Sequence, residues 1–242
     1  MKGKSVLVTG GARRIGREIG LTMAAAGADV AFTYLSSAED ARRTLADLKS
    51  RGVRALAIRC DIRQEKNVAA ALRQVQAKFR GLDVLVNNAG TYETIDFEEI
   101  TARQWDEMFA TNTRAPFLMS RLAARMLRAR KGRIINIASL GGLRPWASHA
   151  HYCTSKAALI MLTEVTAKAL APEISVNAVS PGMISTGSSQ GTTFLRHIAS
   201  KTPMRRAGTP AEVAAAVMFF ASGPHFITGQ VLGVDGGLEL ES

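Results

Sequence analysis

Cysteine is nearly absent: Cys60 and Cys153 are the only two in 242 residues. Two cannot build a disulfide framework or supply a zinc site by themselves, and both fit a reducing compartment. Long hydrophobic runs are missing as well. No apolar stretch approaches the roughly 20 residues that a membrane helix needs. The N-terminal run Val6-Leu7-Val8 is too short for a secretory segment and reads as a first strand. The expectation is a soluble, cytoplasmic chain without membrane association. Acid is missing where base is plentiful. Between Glu107 and Glu164 no Asp or Glu occurs, while Arg114, Arg121, Arg125, Arg128, Arg130, Lys131, Arg133, Arg144 and Lys156 all fall there. A net charge of +11 admits nucleic acid, an acidic ligand or plain solubility. No nucleic-acid recognition motif supports the first, so no nucleic-acid partner is expected.

What is present is a folding chain with a regular alternation. Apolar residues make up 47%, enough for a sizeable core. Short apolar runs at Ser5–Thr9, Val30–Tyr34, Arg54–Arg59, Leu82–Val86, Arg133–Ala138, Ile174–Val179 and Val231–Val234 read as strands. Helical patterns separate them: one to Ala26, then Ala38–Ser50, Glu65–Phe79, Thr101–Arg130 with an interruption near Pro116, Tyr152–Leu170 and Pro210–Ala221. Glycine follows helix ends and proline sits at helix starts, as end chemistry requires. Continuous apolar strands alternating with helices predict an α/β fold. It is a doubly wound, Rossmann-like parallel sheet of about seven strands with helices on both faces. Nothing resembling a linker or a repeat divides residues 1–242, so a single domain is expected. The segment Met183–Lys201, rich in Ser, Thr and Gly, follows a strand's C-terminal end and reads as a lid over a site.

The first strand-to-helix turn is Thr9-Gly10-Gly11-Ala12-Arg13-Arg14-Ile15-Gly16. Gly10 permits a tight turn, Gly16 permits close helix–sheet packing, and the helix N-terminus offers free N–H groups to a pyrophosphate. The spacing is not GxGxxG, so the position of the turn in the first βα unit carries the argument. A dinucleotide site that prefers NAD places an acid about 20 residues beyond the loop for the ribose hydroxyls. Here the second strand ends Thr33-Tyr34-Leu35-Ser36-Ser37, and the first acids, Glu39 and Asp40, lie inside the next helix. With Arg13 and Arg14 available to a 2′-phosphate, the pattern predicts NADP.

Tyr152 and Lys156 lie four apart on one helix face. A phenol with a pKa near 10 is an able proton donor, and an ammonium beside it is expected to bring that value down toward working range. A lone Tyr-x-x-x-Lys carries little weight. Ser139 adds to it, because it follows the strand Ile134-Ile135-Asn136-Ile137-Ala138, at the sheet edge where α/β proteins place their sites. Its hydroxyl is positioned to hold the carbonyl oxygen that Tyr152 protonates.

These motifs resemble the short-chain dehydrogenase/reductase family over nearly the whole chain. They are the Thr9–Gly16 loop, Asp61-Ile62, Asn87-Asn88-Ala89-Gly90, Asn112, the Ser139/Tyr152/Lys156 set, Pro181-Gly182 and Gly233-Val234-Asp235-Gly236-Gly237. The resemblance implies that Asp61 and Ile62 contact the adenine, and that Asn88, with Ala89 and Gly90, lines the cofactor cleft. It further implies that Ile184 meets the carboxamide and that Lys156 also binds the nicotinamide ribose. Members are dimers or tetramers, so a homotetramer or homodimer is implied, with the long helices carrying Arg121 and Tyr152 at a subunit interface. Most members have Gly where this chain has Arg14, and Thr-Gly-x-x-x-Arg-x-Gly is similar to pteridine and dihydromonapterin reductases. The segment Tyr152-Cys153-Thr154-Ser155-Lys156 resembles 3-oxoacyl-acyl-carrier-protein reductases of fatty acid biosynthesis equally well.

The expected activity is NADPH-dependent reduction of a small-molecule or carrier-bound carbonyl. A 3-oxoacyl thioester is the preferred substrate and a pteridine or dihydropterin the alternative; a non-catalytic NADP-sensing protein is disfavoured by the intact Tyr/Lys pair. The resemblance implies a proton-relay water held by the main-chain carbonyl of Asn112 and leading to the lysine; Pro116 has no N–H for that carbonyl, so a kink there is expected to leave it open. His149 and His151 lack a carboxylate or cysteine cluster, so no metal is expected. Cys153 is read as buried and inert, Trp146 as lining the cleft or packing on its loop, and the arginine stripe 114/121/125/128 as a solvated face or subunit contact, with docking of an acidic carrier protein the minority reading.

Overall fold

The computed structural model describes residues 1–186 and 200–240. Seven parallel strands run β1 (Ser5–Val8), β2 (Asp29–Tyr34), β3 (Ala55–Arg59), β4 (Val84–Asn87), β5 (Arg133–Ile137), β6 (Ser175–Pro181) and β7 (Val231–Val234). They lie in the order β3-β2-β1-β4-β5-β6-β7. β1 is therefore the hinge of the winding: Val6 pairs with Val30 on one side and with Val84 on the other. A parallel sheet needs crossover helices, and these are α1 (Arg14–Ala25), α2 (Ala38–Lys49), α3 (Glu65–Phe79), α4 (Ala102–Phe109), α5 (Ala115–Arg128), α6 (Ala150–Leu170) and α7 (Pro210–Ser222).

Both faces of the sheet are covered, which is why β1, β4 and β6 are buried at every residue. Alternation sorts their side chains into two cores. Val6, Val8, Phe32 and Val86 pack with Ile19 and Met23 of α1 and with Val213 and Val217 of α7. Leu7, Leu85, Ile134 and Val176 face the other way, onto Val68, Leu72 and Val75 of α3 and Met119, Ala123 and Leu127 of α5. Thr101 and Thr209 start α4 and α7 with reciprocal capping boxes to Gln104 and Glu212.

Several boundaries move. α6 begins at Ala150, two residues before Tyr152, and β6 extends to Pro181. α3 keeps its expected bounds, Glu65–Phe79, with Arg80 ahead of Gly81 taking the left-handed cap at φ 62°. The interruption expected near Pro116 in the 101–130 helix falls just before it, around Asn112. It is a π turn, Ala110–Arg114, between α4 and α5, with Ala115 N–H bonded to the Ala110 carbonyl. Pro116 denies Asn112 an i+4 donor and crowds its carbonyl, so the helix widens in the turn before the proline. Of the lid expected over 183–201, residues 187–199 lie outside the described residues.

Candidate active site

A cavity of about 970 Å³ opens along the C-terminal ends of the strands, at the point where the winding reverses between β1 and β4. Gly10, Arg13, Arg14, Ile15 and Gly16 line one end. Tyr34, Ser36, Asp61 and Ile62 line the flank under β2 and β3. Asn88, Ala89, Gly90 and Ile184 form the floor, and Ser139, Tyr152 and Lys156 close the far end. Of the residues expected to be catalytic or to bind the cofactor, Asn112 alone stands behind the wall.

The loop between β1 and α1 is braced from β4. Asn88 Nδ2 donates to the Thr9 and Gly10 carbonyls at 2.9 and 3.2 Å, and Thr9 Oγ1 accepts from the Asn88 and Ala89 N–H groups at 2.9 Å each. A Cβ at Gly16 would meet Asn88 Nδ2 and the Gly10 carbonyl, each at 2.4 Å, so no larger residue fits that packing. Gly10 has φ 64°. The N-cap of α1, Arg13, makes no side-chain cap bond, so the helix presents open N–H groups to the cavity. Arg14 is held at φ 52°, a left-handed value that glycine adopts freely and arginine does not. Neither Arg13 nor Arg14 pairs with a carboxylate among the described residues, whereas Glu39 is spent on Arg43 and Asp47 on Arg17.

Asp61 is not a free acid. The Arg63 guanidinium grips it at 2.9 and 2.8 Å, and the Arg63 N–H donates to Oδ1 at 3.0 Å. That grip holds its carboxyl below the usual range, with a smaller contribution from Arg114. Sequence reading missed Arg63, although it directly follows the Asp61-Ile62 pair.

At the far end, β4 and β5 are tied through buried side chains. Asn87 Nδ2 donates to Asn136 Oδ1 at 2.8 Å, and Asn136 Nδ2 donates to Thr163 Oγ1 of α6 at 2.9 Å. The π turn is bolted to α6 by Asn112 Nδ2 on Ser155 Oγ (3.0 Å) and Thr113 Oγ1 on the Ser155 carbonyl (2.9 Å). Asn112 also holds the loop after β4, giving Nδ2 to the Thr91 carbonyl and accepting the Thr91 N–H. These bonds place α6, and with it Tyr152 and Lys156, against the end of β5.

The pKa relation expected between Tyr152 and Lys156 needs correction. Lys156 Nζ donates to the Ile137 carbonyl at 2.8 Å and lies 6.0 Å from the centre of the Tyr152 ring. Burial pushes the phenol up to about 12, against a smaller downward pull from the Ser139 side chain. The same burial pushes the lysine down to about 8. Desolvation therefore outweighs charge: the phenol stays a protonated donor at neutral pH. Ser139 Oγ accepts the Gly141 N–H at 3.1 Å.

The approach to Tyr152 is walled by rings. Tyr92 meets the Tyr152 ring edge-on at 4.9 Å and stacks on His149 at 5.0 Å, and its hydroxyl lies 2.6 Å from His149 Nε2. Trp146 lies nearly parallel to Tyr152, with centroids 6.3 Å apart, and lines the cavity. Tyr92 was missed in the sequence; its only signal is its place two residues after Gly90. His151 is fully buried, with Nε2 3.5 Å from Glu93 Oε2. No group of His, Cys, Asp or Glu among the described residues could hold a metal. Burial raises the pKa of both Cys60 and Cys153. No helix among the described residues is long and apolar enough to cross a membrane.

Residues 10–239 match the family model described as enoyl-(acyl carrier protein) reductase. The chain is 36% identical over 240 residues to the 3-oxoacyl-[acyl-carrier-protein] reductase FabG of Staphylococcus aureus, covering 97% of this chain and 98% of that one. Among solved structures, a short-chain dehydrogenase/reductase from Serratia marcescens superimposes with a TM-score of 0.93 at 36% identity, over 98% of each chain. A blue fluorescent protein from a metagenomic library, in complex with NADPH, gives 0.92 at 34% identity over 98% of each chain. An NAD+-bound xylitol dehydrogenase gives 0.91 at 30% identity, over 98% of this chain and 99% of that one. The strand order, the cleft at its reversal and these full-length matches lead to one assignment: this chain is an oxidoreductase of the short-chain dehydrogenase/reductase family.

Proposed function

We propose that this protein is an NADPH-dependent carbonyl reductase in which Tyr152 is the proton donor, Ser139 and Lys156 are its catalytic partners, and Asn112 positions them. The observation that carries the reading is the half-buried Tyr152 phenol, kept protonated beside Ser139 at the closed end of the cleft. The residues present fit a dinucleotide: a braced loop, open helix N–H groups, and Arg13 and Arg14, which pair with no carboxylate among the described residues, beside Tyr34 and Ser36, with no strand-end acid. When bound, NADPH supplies the hydride. The chain's own residues handle the oxygen: Ser139 holds it and Tyr152 gives it a proton. Lys156, charged below about pH 8, supports the developing phenolate.

A 3-oxoacyl thioester is the first substrate, supported by the family of 3-oxoacyl reductases to which the chain is 36% identical. A dihydropterin is the second, favoured by Arg14 in its left-handed position and by the rings of Tyr92 and Trp146 that face a flat substrate. The protein acts as one domain, in the cytoplasm, as a homotetramer or homodimer. NADPH oxidation with an acetoacetyl thioester, dihydrobiopterin, quinones and small ketones tests this. NADPH is expected to exceed NADH by about 100-fold in kcat/KM, about 2.8 kcal/mol at ~1.4 per decade. Equal use of NADH would remove the role given to Arg13 and Arg14, and no turnover of any carbonyl would remove the activity.

A further inference from the structure

Asp61 forms the cleft wall beside Ile62, and Arg63 lines the same cavity. The Arg63 side chain curls back over its own turn to hold both Asp61 oxygens, through Nε at 2.9 Å and Nη2 at 2.8 Å. A guanidinium paired in this way is fixed in plane, and its freedom is spent before any ligand arrives. It keeps 35% of its side-chain surface open. The backbone under it is braced from elsewhere: Arg114 Nη2 donates to the Arg63 carbonyl at 3.1 Å. Arg114 ends the π turn that carries Asn112, so one short element touches both the β3 end of the cleft and the first turns of α6.

We propose that Arg63 is a purine-binding residue of the cleft, its guanidinium face fixed by Asp61 as a stacking wall, and that Arg114 is the positioning residue that braces it. This rests on the cofactor reading above and extends it to two residues. The physical case has two parts. An oriented, weakly hydrated guanidinium stacks on aromatic planes, and a preorganised one loses little entropy on doing so. The location separates it from Arg13 and Arg14: Arg63 follows β3, whereas they belong to the β1–α1 turn, where a 2′-phosphate is expected. Arg63 then recognises what NADPH and NADH share, not what distinguishes them.

The test is equilibrium binding of NADPH, NADH and 2′,5′-ADP to the full chain, followed by nucleotide fluorescence and by thermal shift, without turnover. Arg63→Ala is expected to weaken NADPH and NADH alike, by about tenfold, leaving their ratio unchanged. It weakens 2′,5′-ADP to the same extent and leaves reduced nicotinamide mononucleotide unaffected. Arg63→Lys does not restore binding, because an ammonium has no plane to stack. Arg114→Ala, an exposed change that does not touch the ligand, is expected to weaken both dinucleotides about threefold, and Arg114→Lys, which keeps a donor for the Arg63 carbonyl, to restore binding. Unchanged binding in Arg63→Ala would overturn the proposal alone. A fall confined to NADPH would overturn it too, by assigning Arg63 to the 2′-phosphate. A parent chain that binds neither dinucleotide would overturn the cofactor reading and this proposal together.

Discussion

Lys156 is 5% exposed, and its ammonium has the Ile137 carbonyl as acceptor, with no carboxylate paired to it among the described residues. In the unfolded chain it would hold its proton to about pH 10.5, and in the folded chain only to about 8. Between those values the unfolded state binds more protons, so stability rises with pH; below about 8 the full cost of the buried charge is present. A shift of this size corresponds to about 3 kcal/mol, offset in part by the Ile137 bond. Lys156→Met is therefore expected to stabilise the protein by about 2 kcal/mol at pH 7 while losing activity. Melting curves at pH 7 and 9.5 check it, the advantage shrinking at the higher pH. Carbonyl reduction by the parent is expected to decline above about pH 8 for the same reason, and a profile flat to pH 10 would count against the lysine. Tyr152→Phe should lower kcat by at least about 100-fold with NADPH affinity little changed. Arg14 carries backbone strain at φ 52° in exchange for its charge. Arg14→Gly should stabilise the fold by up to about 1 kcal/mol and shrink the NADPH preference, read from melting and from kcat/KM for both cofactors.

The π turn between α4 and α5 has a covalent cause, since proline at 116 withholds the donor that a regular helix would give Asn112. Pro116→Ala supplies that N–H and allows the turn to tighten. Asn112 would then lose its register with Thr91 and Ser155, so kcat should fall by about tenfold or more with NADPH binding preserved. A variant that keeps both the π turn and full kcat would show that packing, not the proline, sets the turn. The start of α7 offers a quieter measurement. Thr209→Ala removes one half of a capping box and should cost about 1 kcal/mol in denaturant unfolding, with activity retained. Glu212, the other half, is held down to about 2 by Arg206 and Thr209. Its contribution is present above its unfolded value near 4.5 and is lost as pH falls toward 2.

Across the whole molecule the apolar surface is uneven. Phe117 on α5 and Met161 and Val165 on α6 are 44%, 57% and 56% exposed, on the two long helices proposed as a subunit interface. Met161→Glu with Val165→Glu should lower the mass seen by light scattering while leaving the far-UV spectrum unchanged; an unaltered mass would place the interface elsewhere. The basic stripe on α5 is less free than its charge suggests, since Arg121 pairs with Glu65 and Arg128 lies 3.7 Å from Glu173. Basic residues also gather where helices end. Arg133 donates to the Phe220 and Gly223 carbonyls at the end of α7, where a cation offsets the helix dipole.

Fold class, strand count and the ends of most helices were legible in the chain, because they follow from local rules. A strand covered on both faces must be a continuous apolar run, and a helix ends where glycine or proline changes the backbone. The wall of the cleft was legible for a related reason: in a doubly wound sheet, residues just after a strand point to one edge, whichever strand they follow. Gly16, Asp61, Asn88, Ser139 and Ile184 therefore share a cavity although they span most of the chain. Tertiary structure decided what depends on distant neighbours. The bracing of Arg63 by Arg114 joins residues 51 apart, and the bond between Tyr92 and His149 joins residues 57 apart. No spacing rule connects such pairs. The protonation of Tyr152 and Lys156 was decided there too. Their four-residue spacing suggests charge coupling, but the water excluded by the surrounding elements governs both groups, and only the packed fold determines how much is excluded.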